Sequence, residues 1–184
     1  MNKAFLSIGT NLGQREENLR IAVKSIDEQA GFVRALSSVY ETEPWKMSTN
    51  DRFLNMAIEI ETTLNPHDLL AVLLDIETKM GRDRRGAGYS SRIIDIDILF
   101  FNDYIIGDKD LVVPHPLIAN RRFALEPLAD IAPKLIHPRL GKTIEQLLEE
   151  CADSCIVRKT GFKISSFITF SIKREFLPLS HLVF

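Results

Sequence analysis

The sequence predicts an α+β sandwich of the ferredoxin-like kind, running strand, helix, strand, strand, helix, strand, with helices packed on an antiparallel sheet. Short apolar runs closed by glycine or polar turns alternate with stretches whose apolar residues recur every three or four positions. Phe53 to Glu61 switches residue by residue between two faces, as a strand of an antiparallel sheet does. No stretch is rich enough in Gly, Pro or Ser to divide the 184 residues. One domain is expected over residues 1–160, with 161–184 a C-terminal extension of no assigned role.

Each element has its own signal. Ala4 to Ile8 is an apolar run closed by Gly9, which suits a buried first strand, and Gly9-Thr10-Asn11-Leu12-Gly13 turns the chain. Leu19, Ala22, Val23 and Ile26 then share a helical face, and Gly31 marks the exit. Phe32 to Tyr40 is β-compatible, and Glu41 to Arg52 is a polar loop. In the next strand Leu54, Met56, Ile58 and Ile60 share one face, and Phe53, Asn55, Ala57, Glu59 and Glu61 the other. Asn65-Pro66 is a cap and first-turn pair for a helix with Leu69, Val72, Leu73, Ile76 and Met80 inward, ending at Gly81. The strand carrying Asp95 and Asp97 completes the pattern, with the helices expected on one sheet face. Downstream, Val112 to Pro116 is extended, Arg122 to Ile131 and Thr143 to Ala152 suit C-terminal helices, and Phe162 to Arg174 alternates loosely enough to add a strand.

Composition narrows the function classes. The chain is 45% hydrophobic and 26% charged, with a formal net charge of −2, so nothing marks a general nucleic-acid or membrane-surface binder. Cys151 and Cys155 are the only cysteines and make neither a Cys-x-x-Cys motif nor a zinc site by themselves. The N-terminal apolar run is too short for a signal peptide, so the cytoplasm is the expected compartment. No obligate protein partner is evident.

The chemical signal lies in Arg92-Ile93-Ile94-Asp95-Ile96-Asp97-Ile98-Leu99-Phe100-Phe101. Side chains two apart on a strand share a face, so Asp95 and Asp97 project together, their α-carbons roughly 6.6 Å apart. Leu99 and Phe101 are expected to continue that face, which is hard to reconcile with a simply solvated surface. Two like charges on an apolar strand call for neutralisation, and a hard cation such as Mg²⁺ favours carboxylate oxygen. Upstream, Gly81 to Arg92 carries four arginines and three glycines. A planar guanidinium grips phosphate oxygens at two points, and glycines let such a loop close, so a polyphosphate is the expected ligand. The alternative, a solvated basic loop after a helix C-terminus, stays open at this point. No Gly-x-x-x-x-Gly-Lys-Ser/Thr sequence occurs, which excludes a P-loop. Trp45 sits in a polar loop where it either stacks on a flat ligand or anchors the loop, and the Asn55 amide can both donate and accept to a heterocycle.

Taken in order, Gly9-Thr10-Asn11-Leu12-Gly13, Tyr40-x-Thr42-x-Pro44, Phe53-Leu54-Asn55, Glu77 with Gly81-Arg82-x-Arg84, Arg92-x-x-Asp95-x-Asp97, and Val113-Pro114-His115 with Asn120-Arg121-x-Phe123 resemble the 6-hydroxymethyl-7,8-dihydropterin pyrophosphokinases of folate biosynthesis. The resemblance covers about residues 3–150. It implies transfer of a diphosphoryl group from ATP, as co-substrate, to the hydroxymethyl oxygen of the dihydropterin, releasing AMP. By the same resemblance Asp95 and Asp97 hold two Mg²⁺ ions, and Arg82 and Arg92 are catalytic. Glu77, Arg84, Tyr89, Ile98, His115 and Arg121 are expected to contact ATP. Phe53 and Phe123 are expected to sandwich the pterin, with Thr42, Pro44, Trp45 and Asn55 lining its pocket. The chain departs from the common pattern at Tyr89-Ser90-Ser91, where many members have Trp-Gly-Pro, and at Lys46, where glycine is frequent.

Two other classes compete. A noncatalytic ferredoxin-like module binding RNA or a small ligand would be expected to carry a basic face, which the acidic pair opposes. A nucleotidyltransferase could use the same Asp-x-Asp chemistry, but would not require Phe53, Asn55 and Phe123 to frame a flat pocket.

Overall fold

The computed structural model describes residues 1–45, 51–82 and 92–164. Strand β1 (Asn2–Thr10) lies mid-sheet, paired antiparallel on one side with β4 (Phe53–Thr62) and on the other with β5 (Asp95–Phe101). Beyond β4 come β2 (Phe32–Leu36) and β3 (Tyr40–Thr42), end to end along the same edge: β2 pairs with Ile58 to Glu61, and β3 with Phe53 to Asn55. The order β5-β1-β4-β2 is that of the split βαβ fold, as the alternating pattern predicts. The single β region expected over Phe32 to Tyr40 is broken in two. At the break Ser37 hydrogen-bonds Ala57 through both its backbone N–H and its side-chain oxygen, each at 2.9 Å.

Helix α1 (Arg15–Gln29) buries Leu19, Ala22, Val23 and Ile26, and α2 (Pro66–Lys79) buries Leu69, Leu73 and Ile76. The Asn65 side chain accepts the backbone N–H groups of His67 and Asp68 at 3.0 and 2.9 Å, the cap that the Asn-Pro pair implies. Both helices cover the sheet face that presents Leu54, Met56, Ile58 and Ile60. Full burial of each large aliphatic side chain contributes about 1.5–3 kcal/mol, so this layer carries much of the folding free energy.

The opposite face is covered too, which corrects the expectation of helices on one face alone. After the short hairpin of β6 (Ile106–Gly107) and β7 (Val112–Val113), α3 (Arg122–Ile131) and α4 (Ile144–Glu149) bury Phe5, Ala57, Leu99 and Phe100. The chain then returns as β8 (Val157–Lys159) on the outer edge of β3, a strand too short to be seen as a pattern. The strand expected over Phe162 to Arg174 falls largely outside the described residues, as does most of the 161–184 extension.

A second correction concerns β5. Its register against β1 shifts between Phe5 and Leu6, so one residue of β5 bulges and the alternation breaks. Asp95, Asp97 and Leu99 share a face, but Phe101 turns to the other and joins Ile96 and Ile98 under α1 and α2.

Candidate active site

The sheet face beneath α3 changes character along its length. From the covered end outward, β1 presents Phe5, Ser7 and Gly9; β4 presents Ala57, Asn55 and Phe53; β5 presents Leu99, Asp97 and Asp95. The first residue of each series is core under α3 and α4. The others line a cleft that opens to solvent. Its walls are Thr42, Glu43 and Trp45 after β3, Arg82 and Arg92 at the ends of the arginine segment, and His115, Arg121 and Phe123 from the β7–α3 connection.

Asp95 is held by two arginines. Arg82 Nη1 reaches one carboxylate oxygen and Arg92 Nη1 the other, each at 2.5 Å. Arg82 also pairs with Glu77, which is fully buried and accepts the Ile96 backbone N–H at 2.7 Å. Burial works against the Arg82 charge, but Asp95 and Glu77 outweigh it and hold the guanidinium above its ordinary range. Arg92 is fixed through its backbone as well: its N–H donates to Asn11 Oδ1 at 2.7 Å, and its carbonyl accepts the Asn11 N–H at 3.1 Å. The Gly9 to Gly13 turn therefore anchors one end of the arginine segment.

Asp97 is treated differently. Among the described residues its nearest basic side chains are Arg121 at 3.7 Å and His115 at 3.9 Å, both beyond hydrogen-bond range. Burial, and then the negative charge of Asp95, push its carboxyl up to about 7 despite Arg121. The side chain still keeps 39% of its surface open to the cleft. Asp97 therefore lies where a carboxylate is undercompensated yet reachable. His115 is pushed down to about 4, by burial first and then by Arg121, so it is neutral at pH 7. Its Nδ1 accepts the Leu117 N–H at 3.2 Å, and its backbone N–H donates to the Leu99 carbonyl at 2.9 Å.

The other half of the cleft is flat and aromatic. The rings of Trp45 and Phe123 meet edge to face at 6.1 Å, and the Arg121 guanidinium lies 5.0 Å from the first and 5.6 Å from the second. Asn55 is buried and donates to Thr42 Oγ1 at 2.7 Å. Its Oδ1 lies over Gly9, where a Cβ would meet it at 2.7 Å, so only glycine leaves the amide its place.

Of the residues expected from the sequence, the structure brings Arg82, Arg92, Asp95, Asp97, His115, Arg121, Thr42, Trp45, Phe53, Asn55 and Phe123 to one cleft. Glu77 stands behind it, touching Arg82 rather than the cavity. Pro44 does not line it. Ile98 does not line it either: its buried side chain packs on the α1/α2 face, because strand alternation sends it opposite to Asp97. Arg84, Tyr89 and Lys46 lie outside the described residues. Ser7, Gly9 and Glu43 line the cleft without having been expected there. Ser7 could have been found from pairing, since it faces Asp97 across β1 and β5.

The donor set suits Mg²⁺. Among the described residues no group of three His, Cys, Asp or Glu side chains converges as an all-protein metal site. Mg²⁺ takes one or two carboxylates and completes its shell with water and substrate phosphates, and a carboxyl starved of positive charge is what such an ion satisfies. Asp97 fits that description, and Asp95 on the same face supplies the second carboxylate.

Over most of its length the chain is similar to known proteins. The family model described as 7,8-dihydro-6-hydroxymethylpterin-pyrophosphokinase matches residues 5–133. A 2-amino-4-hydroxy-6-hydroxymethyldihydropteridine pyrophosphokinase of Methylorubrum extorquens is 40% identical over 159 residues, covering 86% of this chain and 99% of that one. The protein of the same name from Bacillus subtilis is 44% identical over 131 residues, 71% of this chain and 78% of that one. The folic acid synthesis protein FOL1 of Dictyostelium discoideum is 40% identical over 146 residues; the match takes in 79% of this chain but 22% of that longer protein. A crystal structure of Plasmodium falciparum HPPK-DHPS superposes with a TM-score of 0.68 at 21% identity, over 81% of this chain and 44% of that one, and so supports the fold. On the extent of these matches, the chain belongs to the 7,8-dihydro-6-hydroxymethylpterin-pyrophosphokinase family.

Proposed function

We propose that this cleft is where the chain carries out its family's reaction, transfer of the diphosphoryl group of ATP to the hydroxymethyl oxygen of 6-hydroxymethyl-7,8-dihydropterin in folate biosynthesis. The observation that carries the reading is the division of the cleft. One half gathers two carboxylates and two arginines, and the adjoining half offers aromatic rings and an amide, the groups that a planar heterocycle needs. The pterin lies between Phe53 and Phe123, with Thr42 and Asn55 reading its edge and Trp45 closing the pocket. The triphosphate lies over Asp95 and Asp97, with His115 and Arg121 beside it.

Asp95 and Asp97 would hold Mg²⁺, two ions by resemblance to the family. Bound there, Mg²⁺ supplies charge neutralisation for the triphosphate. The chain's own residues do the rest. Arg82 and Arg92 give up Asp95 for phosphate oxygens and stabilise the charge that builds on the transferred group, while Glu77 keeps Arg82 aimed. His115, neutral, contributes a hydrogen bond without adding charge. The hydroxymethyl oxygen gives up its proton to water and forms a bond to the β-phosphorus as the bond to the bridging α,β-oxygen breaks and AMP leaves, so positioning and electrostatics dominate the catalysis. ATP and the dihydropterin are the small-molecule partners, and the cytoplasm is the proposed place of action. Among the described residues no helix is long and apolar enough to cross a membrane.

Incubation with ATP, Mg²⁺ and the hydroxymethyl-dihydropterin tests the reading. AMP and the pterin diphosphate are expected; ADP, or no pterin-dependent product, would contradict it.

A further inference from the structure

We propose that the segment Cys151–Val157 braces the two walls of the cleft against each other, and that Asp153 is a positioning residue for the pterin slot. The inference rests on the reading that Phe123 and the Thr42–Trp45 segment receive the pterin. It concerns residues beyond position 133, where the family match ends.

The segment is bonded to both walls. On the α3 side, Asp153 Oδ2 accepts the backbone N–H of Arg122 at 3.0 Å, and the Asp153 carbonyl accepts Arg122 Nε at 3.0 Å. Arg122 is the first residue of α3, flanked by Arg121 and Phe123 of the cleft, and its helix has no side-chain cap of its own. A carboxylate on that open N–H does the work of a cap and favours the positive end of the helix. On the β3 side, the Ile156 carbonyl accepts the Glu43 N–H at 3.4 Å, and Cys155 Sγ lies 3.6 Å from the Glu43 carbonyl. Val157 continues as β8 opposite Thr42. The link between the two ends is itself stiffened, because Asp153 Oδ1 accepts the Cys155 N–H at 3.0 Å.

One carboxylate thus joins the start of α3 to the strand that carries Thr42 and Glu43. Aromatic stacking depends on ring separation and tilt, and the Trp45–Phe123 contact spans the same gap. Freed from Asp153, the start of α3 can shift relative to β3, and the slot loses its spacing while Arg82, Arg92, Asp95 and Asp97 stay where the sheet puts them.

The test compares Asp153→Ala with Asn65→Ala, which removes the cap of α2 on the opposite face of the sheet and serves as a destabilised control. The pterin KM of Asp153→Ala should rise about tenfold, a loss of about 1.4 kcal/mol of binding, the scale of one hydrogen bond. Its kcat should stay within about twofold, the pattern of lost binding rather than lost transition-state contact. Emission from Trp45, the only tryptophan, should change in the same variant. Asp153→Asn, with one acceptor for two donors, should fall between wild type and alanine. Asn65→Ala should lower Tm and leave KM alone. A wild-type KM in Asp153→Ala, with Phe123→Ala showing the expected rise, would overturn the brace alone. An equal KM rise in Asn65→Ala would also overturn it, and a wild-type KM in Phe123→Ala would sink the pterin slot and the brace together.

Discussion

The two halves of the sheet face beneath α3 are made from the same three strands, yet they do opposite things. Under α3 and α4, Phe5, Ala57 and Leu99 are buried core. Two and four residues along the same strands, Ser7 and Gly9, Asn55 and Phe53, Asp97 and Asp95 line the cleft. The pairing of β1 with β4 runs through the boundary without a shift, whereas that of β1 with β5 shifts there, between Phe5 and Leu6. The difference lies in what covers each half. Apolar side chains suit the half roofed by helices, and polar groups survive in the other because solvent or ligand can reach them. A rigid, well-packed half positions the reactive one, which is how a scaffold holds catalytic groups to a fraction of an ångström.

Substitutions should therefore sort by half. Asp97→Ala should lower turnover by roughly 10³-fold, the scale of removing a principal electrostatic contact, with the fold retained; steady-state AMP release and circular dichroism check it. Arg92→Ala should lower kcat by about 10²-fold while pterin affinity by calorimetry changes little, because its role belongs to the transition state. In the covered half the balance reverses. Leu99→Ala should cost about 2–5 kcal/mol in denaturant unfolding and leave the pterin KM close to wild type. A Leu99 variant that lost activity without losing stability would erase the distinction between the halves.

The smallest effect concerns pH. The Asp97 carboxyl is pushed up to about 7 in the fold and titrates near 3.8 when exposed, so between those values the folded state holds a proton that the unfolded state releases. Stability from this group is full below about 3.8 and is lost as pH rises through 7. Asp97→Asn should accordingly melt a few degrees above wild type at pH 8 in Mg²⁺-free buffer, the gap closing toward pH 4. His115 acts in the opposite sense: depressed to about 4, it costs stability as pH falls from 6.5 through 4. Melting His115→Gln beside wild type over the same range separates the two.

Much of this was legible in the sequence because strand alternation is a strict rule. The faces of β4, the shared face of Asp95 and Asp97, the cap of α2 and the buried stripes of α1 and α2 follow from periodicity and turn chemistry alone. The failures have physical causes of the same kind. A bulge inserts one residue and reverses every side chain beyond it, which placed Phe101 opposite to expectation. Ile98 follows the alternation rule, and its side chain lies on the face opposite to Asp97. Ser7 and Glu43 carry no local signal, since their place depends on which strands become neighbours. The covering of the second face by α3 and α4 is likewise a tertiary fact. Neither helix is long, and their apolar residues say only that something must be buried.

The central claim is that the open half of this face carries a carboxylate pair in which Asp97 lacks enough positive charge until an ion and nucleotide arrive. Thermal melting with a non-hydrolysable ATP analogue, with and without Mg²⁺, tests it on wild type and Asp97→Ala side by side. A Mg²⁺-dependent rise in Tm is expected for wild type and none for the variant. An equal rise in both would contradict the account.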